Sequence, residues 1–215
     1  MPNTSRGTIL ENEKFMQDLV GEIAVLAHKH HELYEFPIKA ELWENILAKS
    51  FTACGLATDW APDGNHTQGV DMTIMETGER VSCKSGALSK NRQGQDQCVI
   101  SGSRTTRYKT LKEKLEYFAK PKDDVYFLLA RDREEWSSDK KYYIIAFPSM
   151  MLNYSEHDWF DTFSKRMGSS KHNGYCMSSD VFDAKVVFSM SDQLWTTIKD
   201  YKDNEQILIQ PIEVG

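Results

Sequence analysis

Gly69-Val-Asp-Met-Thr-Ile-Met-Glu-Thr-Gly-Glu-Arg-Val-Ser-Cys-Lys, residues 69 to 84, is the stretch on which the reading of the chain turns. It predicts two short strands around Thr77-Gly78. Successive side chains of a strand point to opposite faces, so Asp71 and Thr73 share one face while Val70, Met72 and Ile74 take the other. In the second strand Ser82 and Lys84 share a face, and Val81, Cys83 and Ser85 oppose them. A two-residue turn at Thr77-Gly78 would set Asp71 opposite Lys84 and Thr73 opposite Ser82. A carboxylate and an ammonium then meet on the polar face of a hairpin whose other face is apolar.

Working outward, residues 9 to 35 read as a helix ending in a His-rich stretch. His28 and His30 do not share a helix face, and no carboxylate or Cys cluster completes a metal set with His31, so the three read as a polar helix end. A second helix is predicted from Ile38 to Cys54, where Ile38, Leu42, Trp43, Ile46, Leu47, Phe51 and Cys54 form one apolar stripe. At 100° per residue, Glu44 lies about 110° from the centre of that stripe and Glu41 about 170°. Glu44 can therefore reach the edge of the core, while Glu41 faces solvent. Beyond the hairpin, Gln97–Ser101 suggests a strand, Tyr108–Ala119 an amphipathic helix, and Asp124–Arg131 and Lys141–Pro148 apolar strands. His157–Met167 and Asp192–Lys199 read as helices, Gly168–Asn173 as a polar loop, and Asp183–Met190 and Gln206–Ile212 as strands. One α/β domain over residues 1–215 fits this order, with a central mixed β-sheet flanked by helices.

The composition bounds the function. The 215 residues are 40% apolar and 27% charged, which is the profile of a globular chain with one sizeable core. No apolar run approaches the roughly 20 residues of a membrane span. The N-terminus lacks a signal-peptide core, so a cytoplasmic protein with no membrane partner is expected. Cys54, Cys83, Cys98 and Cys176 show no Cys-x-x-Cys spacing, which disfavours zinc ribbons and disulfide scaffolds. No phosphate-binding Gly-x-x-x-x-Gly-Lys loop is present, so no nucleotide cofactor is expected. Net charge is −6, yet residues 80 to 122 carry eleven basic against three acidic side chains, +8, which leaves −14 for the remainder. A polyanion-binding face on an acidic body would be distributed in this way.

At Asp71 and at Val81-Ser-Cys-Lys-Ser-Gly the chain resembles the PD-(D/E)XK nuclease superfamily and, in size and layout, its type II restriction endonucleases. The resemblance covers roughly residues 38 to 131. It implies a restriction-endonuclease-like core, with residues 141–215 extending the sheet and serving DNA recognition and dimerisation. The family's first acid matches Asp71 and its lysine Lys84, whereas Pro62-Asp63 reads as turn chemistry. Where the family carries an acid two residues before the lysine, this chain has Ser82, a poor ligand for a hard cation beside a carboxylate. Glu44 is the candidate replacement and Asp96 the second choice. The candidate catalytic set is then Asp71, Lys84, Glu44 and Ser82, and the candidate metal set is Asp71, Glu44 and the backbone carbonyl of Cys83. The implied cofactor is Mg²⁺, with Mn²⁺ able to substitute. A surface hairpin with an ordinary cross-strand ion pair, worth at most about 1 kcal/mol, is the competing reading.

For DNA contacts, Ser101-Gly-Ser-Arg-Thr-Thr-Arg-Tyr follows the third strand. Ser101, Ser103, Arg104, Thr105, Thr106, Arg107 and Lys109 offer hydroxyls and cations suited to phosphates and guanine edges. Lys171, His172 and Asn173 form a second candidate segment. The expected function is Mg²⁺-dependent, sequence-specific hydrolysis of double-stranded DNA by a homodimer. A structure-selective or repair nuclease of the same fold and a catalytically silent DNA-binding module are the alternatives.

Overall fold

The computed structural model describes residues 9–61, 70–104, 108, 110–118, 123–132, 141–154, 158–161, 174–187 and 193–214. Two long helices come first. α1 (Glu13–Leu33) starts at Asn12, whose side chain accepts from the Phe15 N–H at 3.1 Å, satisfying one donor that a helix start leaves open. It buries Met16, Leu19, Ile23, Ala27 and His30, spaced three and four apart as one helical stripe requires. α2 (Ala40–Ala53) buries Trp43, Ile46, Leu47 and Phe51. Its buried Ser50 returns a hydrogen bond to the Ile46 carbonyl at 2.9 Å, so that hydroxyl is satisfied within the helix. The polar end of α1 disperses its histidines: His28 faces Glu32, His30 the Phe36 carbonyl and His31 the Tyr142 hydroxyl.

The remaining elements are β1 (Met72–Thr73), β2 (Arg80–Lys90), β3 (Asp96–Arg104), α3 (Leu111–Phe118), β4 (Val125–Asp132), β5 (Lys141–Pro148), β6 (Phe160–Asp161), β7 (Gly174–Ser178), β8 (Phe182–Val187), β9 (Gln193–Lys199) and β10 (Leu208–Glu213). They form one mixed sheet in the order β10-β5-β4-β2-β3-β9-β8-β7-β6, with β1 beside β2. Only β2 and β4 run parallel, joined by a crossover that contains α3; the other pairs are antiparallel. On one face α1 and α2 pack against Val81, Cys83, Phe127, Leu129, Ile144 and Ala146. On the other, Leu88, Ile100, Leu128, Ile145, Met177, Phe182, Leu194 and Ile198 form a second core, against which Phe118 of α3 packs. None of the helices is long and apolar enough to cross a membrane, among the described residues.

Three expectations are corrected. Gln193–Lys199 is a strand, because Leu194, Thr196 and Ile198 are buried in strict alternation. A spacing of four between Leu194 and Ile198 satisfies either period, and buried Thr196 between them decides for the strand. Phe160–Asp161, placed in a predicted helix, is a two-residue strand, and Gly174–Ser178 is a strand with no sequence expectation behind it. The hairpin turn is also longer than two residues. Met72 pairs with Val81 and Thr73 with Arg80, and Ile74 donates to the Glu79 carbonyl at 2.9 Å around the loop Met75–Gly78. A two-residue hairpin turn would need positive φ at its first position, which β-branched Thr77 does not adopt; the left-handed residue is Gly78, at φ +76°.

Candidate active site

β2 is asymmetrically flanked. β4 accompanies it from Val81 to Leu88, whereas on its other edge β1 meets only Arg80 and Val81, and β3 only Gly86 to Lys90. Ser82–Ser85 therefore has no described strand on that side, and the backbone groups of Cys83 open onto the gap. The Asp71 carboxylate fills it. Asp71 Oδ2 accepts from the Cys83 N–H at 2.7 Å, from Lys84 Nζ at 2.7 Å and from Ser82 Oγ at 3.2 Å. Lys84 Nζ also donates to the Cys83 carbonyl at 3.1 Å.

Asp71 sits opposite Ser82, two positions from the expected Lys84. Because the shift is even, Asp71, Ser82 and Lys84 still share a face, and the lysine stem spans the remaining distance. Burial pulls the Lys84 ammonium downward, but the Asp71 charge and hydrogen bond outweigh it, and its pKa is raised. Lys84 is thus a cation and a donor in this arrangement, not a base.

The second acid beside this pair is Asp123, which the sequence reading did not single out. It lies two residues before β4 and is 8% exposed. Its main chain is fixed by Ser149 Oγ, which donates to the Asp123 carbonyl at 2.6 Å. The adjoining Asp124 is gripped by Arg80: Nε to Oδ2 at 3.0 Å, Nη2 to Oδ1 at 2.8 Å, and the Arg80 N–H to Oδ2 at 2.9 Å. Those bonds from Arg80 hold Asp124 below the ordinary carboxylate range. Asp123 goes the other way. Burial first, partly offset by Lys84 and reinforced by the Asp71 charge, pushes it up to about 7. The wholly buried Ser82 hydroxyl donates to Asp71 and also favours the ionised form of Asp123.

Glu44 is half-buried on α2 and Glu41 is exposed, as the helical geometry requires. The Glu44 charge reaches the Cys83 thiol, whose pKa is pushed well up by burial and then by Asp71. That thiol lies in the core under α1 and α2, on the face opposite Ser82 and Lys84. Asp96 pairs with Lys90 at the far end of β2, six residues from Lys84, about 20 Å along a strand, and binds Lys202 at 2.9 Å. It is not at this site.

The segregated basic charge is partly structural. Arg80 holds Asp124, Lys84 holds Asp71, and buried Lys114 donates to the Tyr108 carbonyl at 2.6 Å, whereas Lys90, Arg92 and Lys112 are exposed. Ser101 lies in β3 and accepts from Gln193 Nε2. Ser103 and Arg104 continue β3, but their side chains, together with Thr105, Thr106, Arg107, Lys109, Lys171, His172 and Asn173, lie outside the described residues, as does Pro62-Asp63. Among the described residues no three His, Cys, Asp or Glu side chains already form a metal cluster. No family model matches the chain, and no curated protein matches it.

Proposed function

We propose that the chain is a Mg²⁺-dependent endonuclease of the PD-(D/E)XK kind, hydrolysing phosphodiester bonds in double-stranded DNA at specific sites as a homodimer. The observation that carries this reading is the convergence of Asp71 Oδ2, the Cys83 backbone and Lys84 Nζ at an interruption in the sheet. Oxygen donors suit Mg²⁺. The site offers the Asp71 carboxylate, the Cys83 carbonyl and Asp123, whose buried Oδ1 has no hydrogen-bond partner among the described residues. These residues fit a hard divalent cation. When bound, such an ion would polarise the phosphate and acidify a water.

The chain's own residues supply the rest. Lys84 presents a fixed ammonium to charge developing on the phosphate oxygens, worth roughly 3 kcal/mol for a preorganised donor. Asp71 orients that ammonium, and the Cys83 N–H orients Asp71. The exposed Lys90 and Arg92 are available for phosphate contacts. Ser82 favours a second reading, a catalytically silent DNA-binding module, because the usual acid is missing from its position.

Incubating the protein with plasmids of varied sequence in Mg²⁺ tests the proposal. Discrete, reproducible fragments are expected. Cutting only of branched or damaged DNA would make it structure-selective, and DNA binding without cleavage in Mg²⁺ or Mn²⁺ would favour the silent module.

A further inference from the structure

We propose that Asp123, not Glu44, is the second carboxylate of a divalent-cation site whose other protein donors are Asp71 and the Cys83 carbonyl. This rests on the cation-dependent reading above and names the residue that replaces the acid absent at position 82.

Asp123 is nine-tenths buried, and its Oδ1 meets no hydrogen-bond donor among the described residues. A buried carboxylate oxygen without a partner is costly, and proteins retain one where something else completes it. The neighbouring charges sharpen the point. Lys84 answers Asp71 and Arg80 answers Asp124, which leaves Asp123 as the carboxylate with no cation of its own among the described residues. A cation held between Asp71 and Asp123 would neutralise that excess.

Placement agrees. The parallel register sets Val81 beside Val125, so the residues just before β4 lie alongside the start of β2, where β1 delivers Asp71. The Arg80–Asp124 grip and the Ser149 bond to the Asp123 carbonyl fix the main chain on both sides of the Asp123 side chain. A carboxylate at position 82 would add a third acid beside Asp71 and Asp123, whereas the small, wholly buried Ser82 hydroxyl donates to Asp71. Glu44 belongs to α2, which packs on the Cys83 face of the sheet, opposite Ser82 and Lys84.

Cation binding can be read without turnover. In a calorimetric titration of the full chain with Mn²⁺, we expect binding by the unaltered protein. Affinity should fall at least about tenfold in Asp123→Asn and stay within about twofold in Glu44→Gln. A second measurement needs no variant: Fe²⁺ with ascorbate and peroxide should break the unaltered backbone near Asp71, Cys83 and Asp123. If the unaltered protein takes up no cation, the cation-dependent reading itself fails. If it binds but Asp123→Asn binds equally well, or the breaks fall near Glu44 and spare Asp123, only the assignment of Asp123 is overturned.

Discussion

Lys84 Nζ lies 2.7 Å from Asp71 Oδ2 although the two residues do not face each other across the hairpin, since Asp71 stands opposite Ser82. The lysine leans back along its own strand to reach the carboxylate, and both are three-quarters or more buried, with side-chain exposures of 17% and 23%. An ion pair held this way is committed in direction. It presents its ammonium to the gap left between β1 and β3.

Removing either partner should therefore abolish cleavage without abolishing DNA binding. Lys84→Ala and Asp71→Asn are each expected to slow plasmid cutting by roughly a hundredfold or more, on the scale of a lost preorganised donor. Gel shifts in Ca²⁺ should remain within about threefold of the unaltered protein. Full cutting by Lys84→Ala at saturating Mg²⁺ would contradict the role given to this pair.

Asp123 gives a pH dependence whose sign is fixed. Its pKa is pushed from 3.8 to about 7 in the folded protein, mainly by burial. Below about pH 4 both folded and unfolded chains hold the proton, and the group costs nothing. Between about 4 and 7 the unfolded chain ionises while the folded one stays protonated, so stability falls as pH rises, by up to about 4 kcal/mol. In chelator, the difference in denaturation free energy between Asp123→Asn and the unaltered protein should grow in the variant's favour over that window and level off above it. A flat difference would show that the group ionises freely when folded.

Replacing Ser82 with Asp should be destabilising in chelator, by about 2–4 kcal/mol, because it buries another carboxylate beside Asp71 and Asp123. Mg²⁺ at about a hundred times its dissociation constant should return roughly 2.7 kcal/mol through linkage. Thermal melts with and without the ion read both effects. A variant equally stable in both conditions would count against a cation at this place.

Arg80 acts at one remove. Its fork holds both Asp124 oxygens, but the pair is about 40% exposed, so the stability at stake is only about 1 kcal/mol after solvent screening. Arg80→Ala should melt within a few degrees of the unaltered protein yet cleave at least tenfold more slowly, because the segment carrying Asp123 loses its tether. Arg80→Lys keeps the charge but not the fork and should recover little activity. Cleavage at the normal rate in Arg80→Ala would show that Ser149 alone positions the segment.

How much of this was legible in the sequence depends on which contacts are local. Asp71 and Lys84 are thirteen residues apart on one hairpin, and strand alternation puts them on one face even with a turn two residues longer than the sequence predicts. Asp123 escaped because its neighbourhood is made by the parallel pairing of β4 with β2, a long-range contact that no periodicity within Asp123-Asp124-Val125 announces. Two acids directly before a strongly apolar strand were the available signal, and they read as an ordinary strand boundary. β9 was lost for a different reason: Leu194 and Ile198 fit a helix and a strand alike, and only the sheet between β3 and β8 chooses.

The four-residue loop Met75–Gly78 joins β1 to β2 and fixes which side of the ribbon Asp71 occupies. Were β1 to slip by one position against β2, it would roll over and send the Asp71 carboxylate into the oily layer beneath α1 and α2, away from Lys84. A slip of two positions would leave the acid on its proper side.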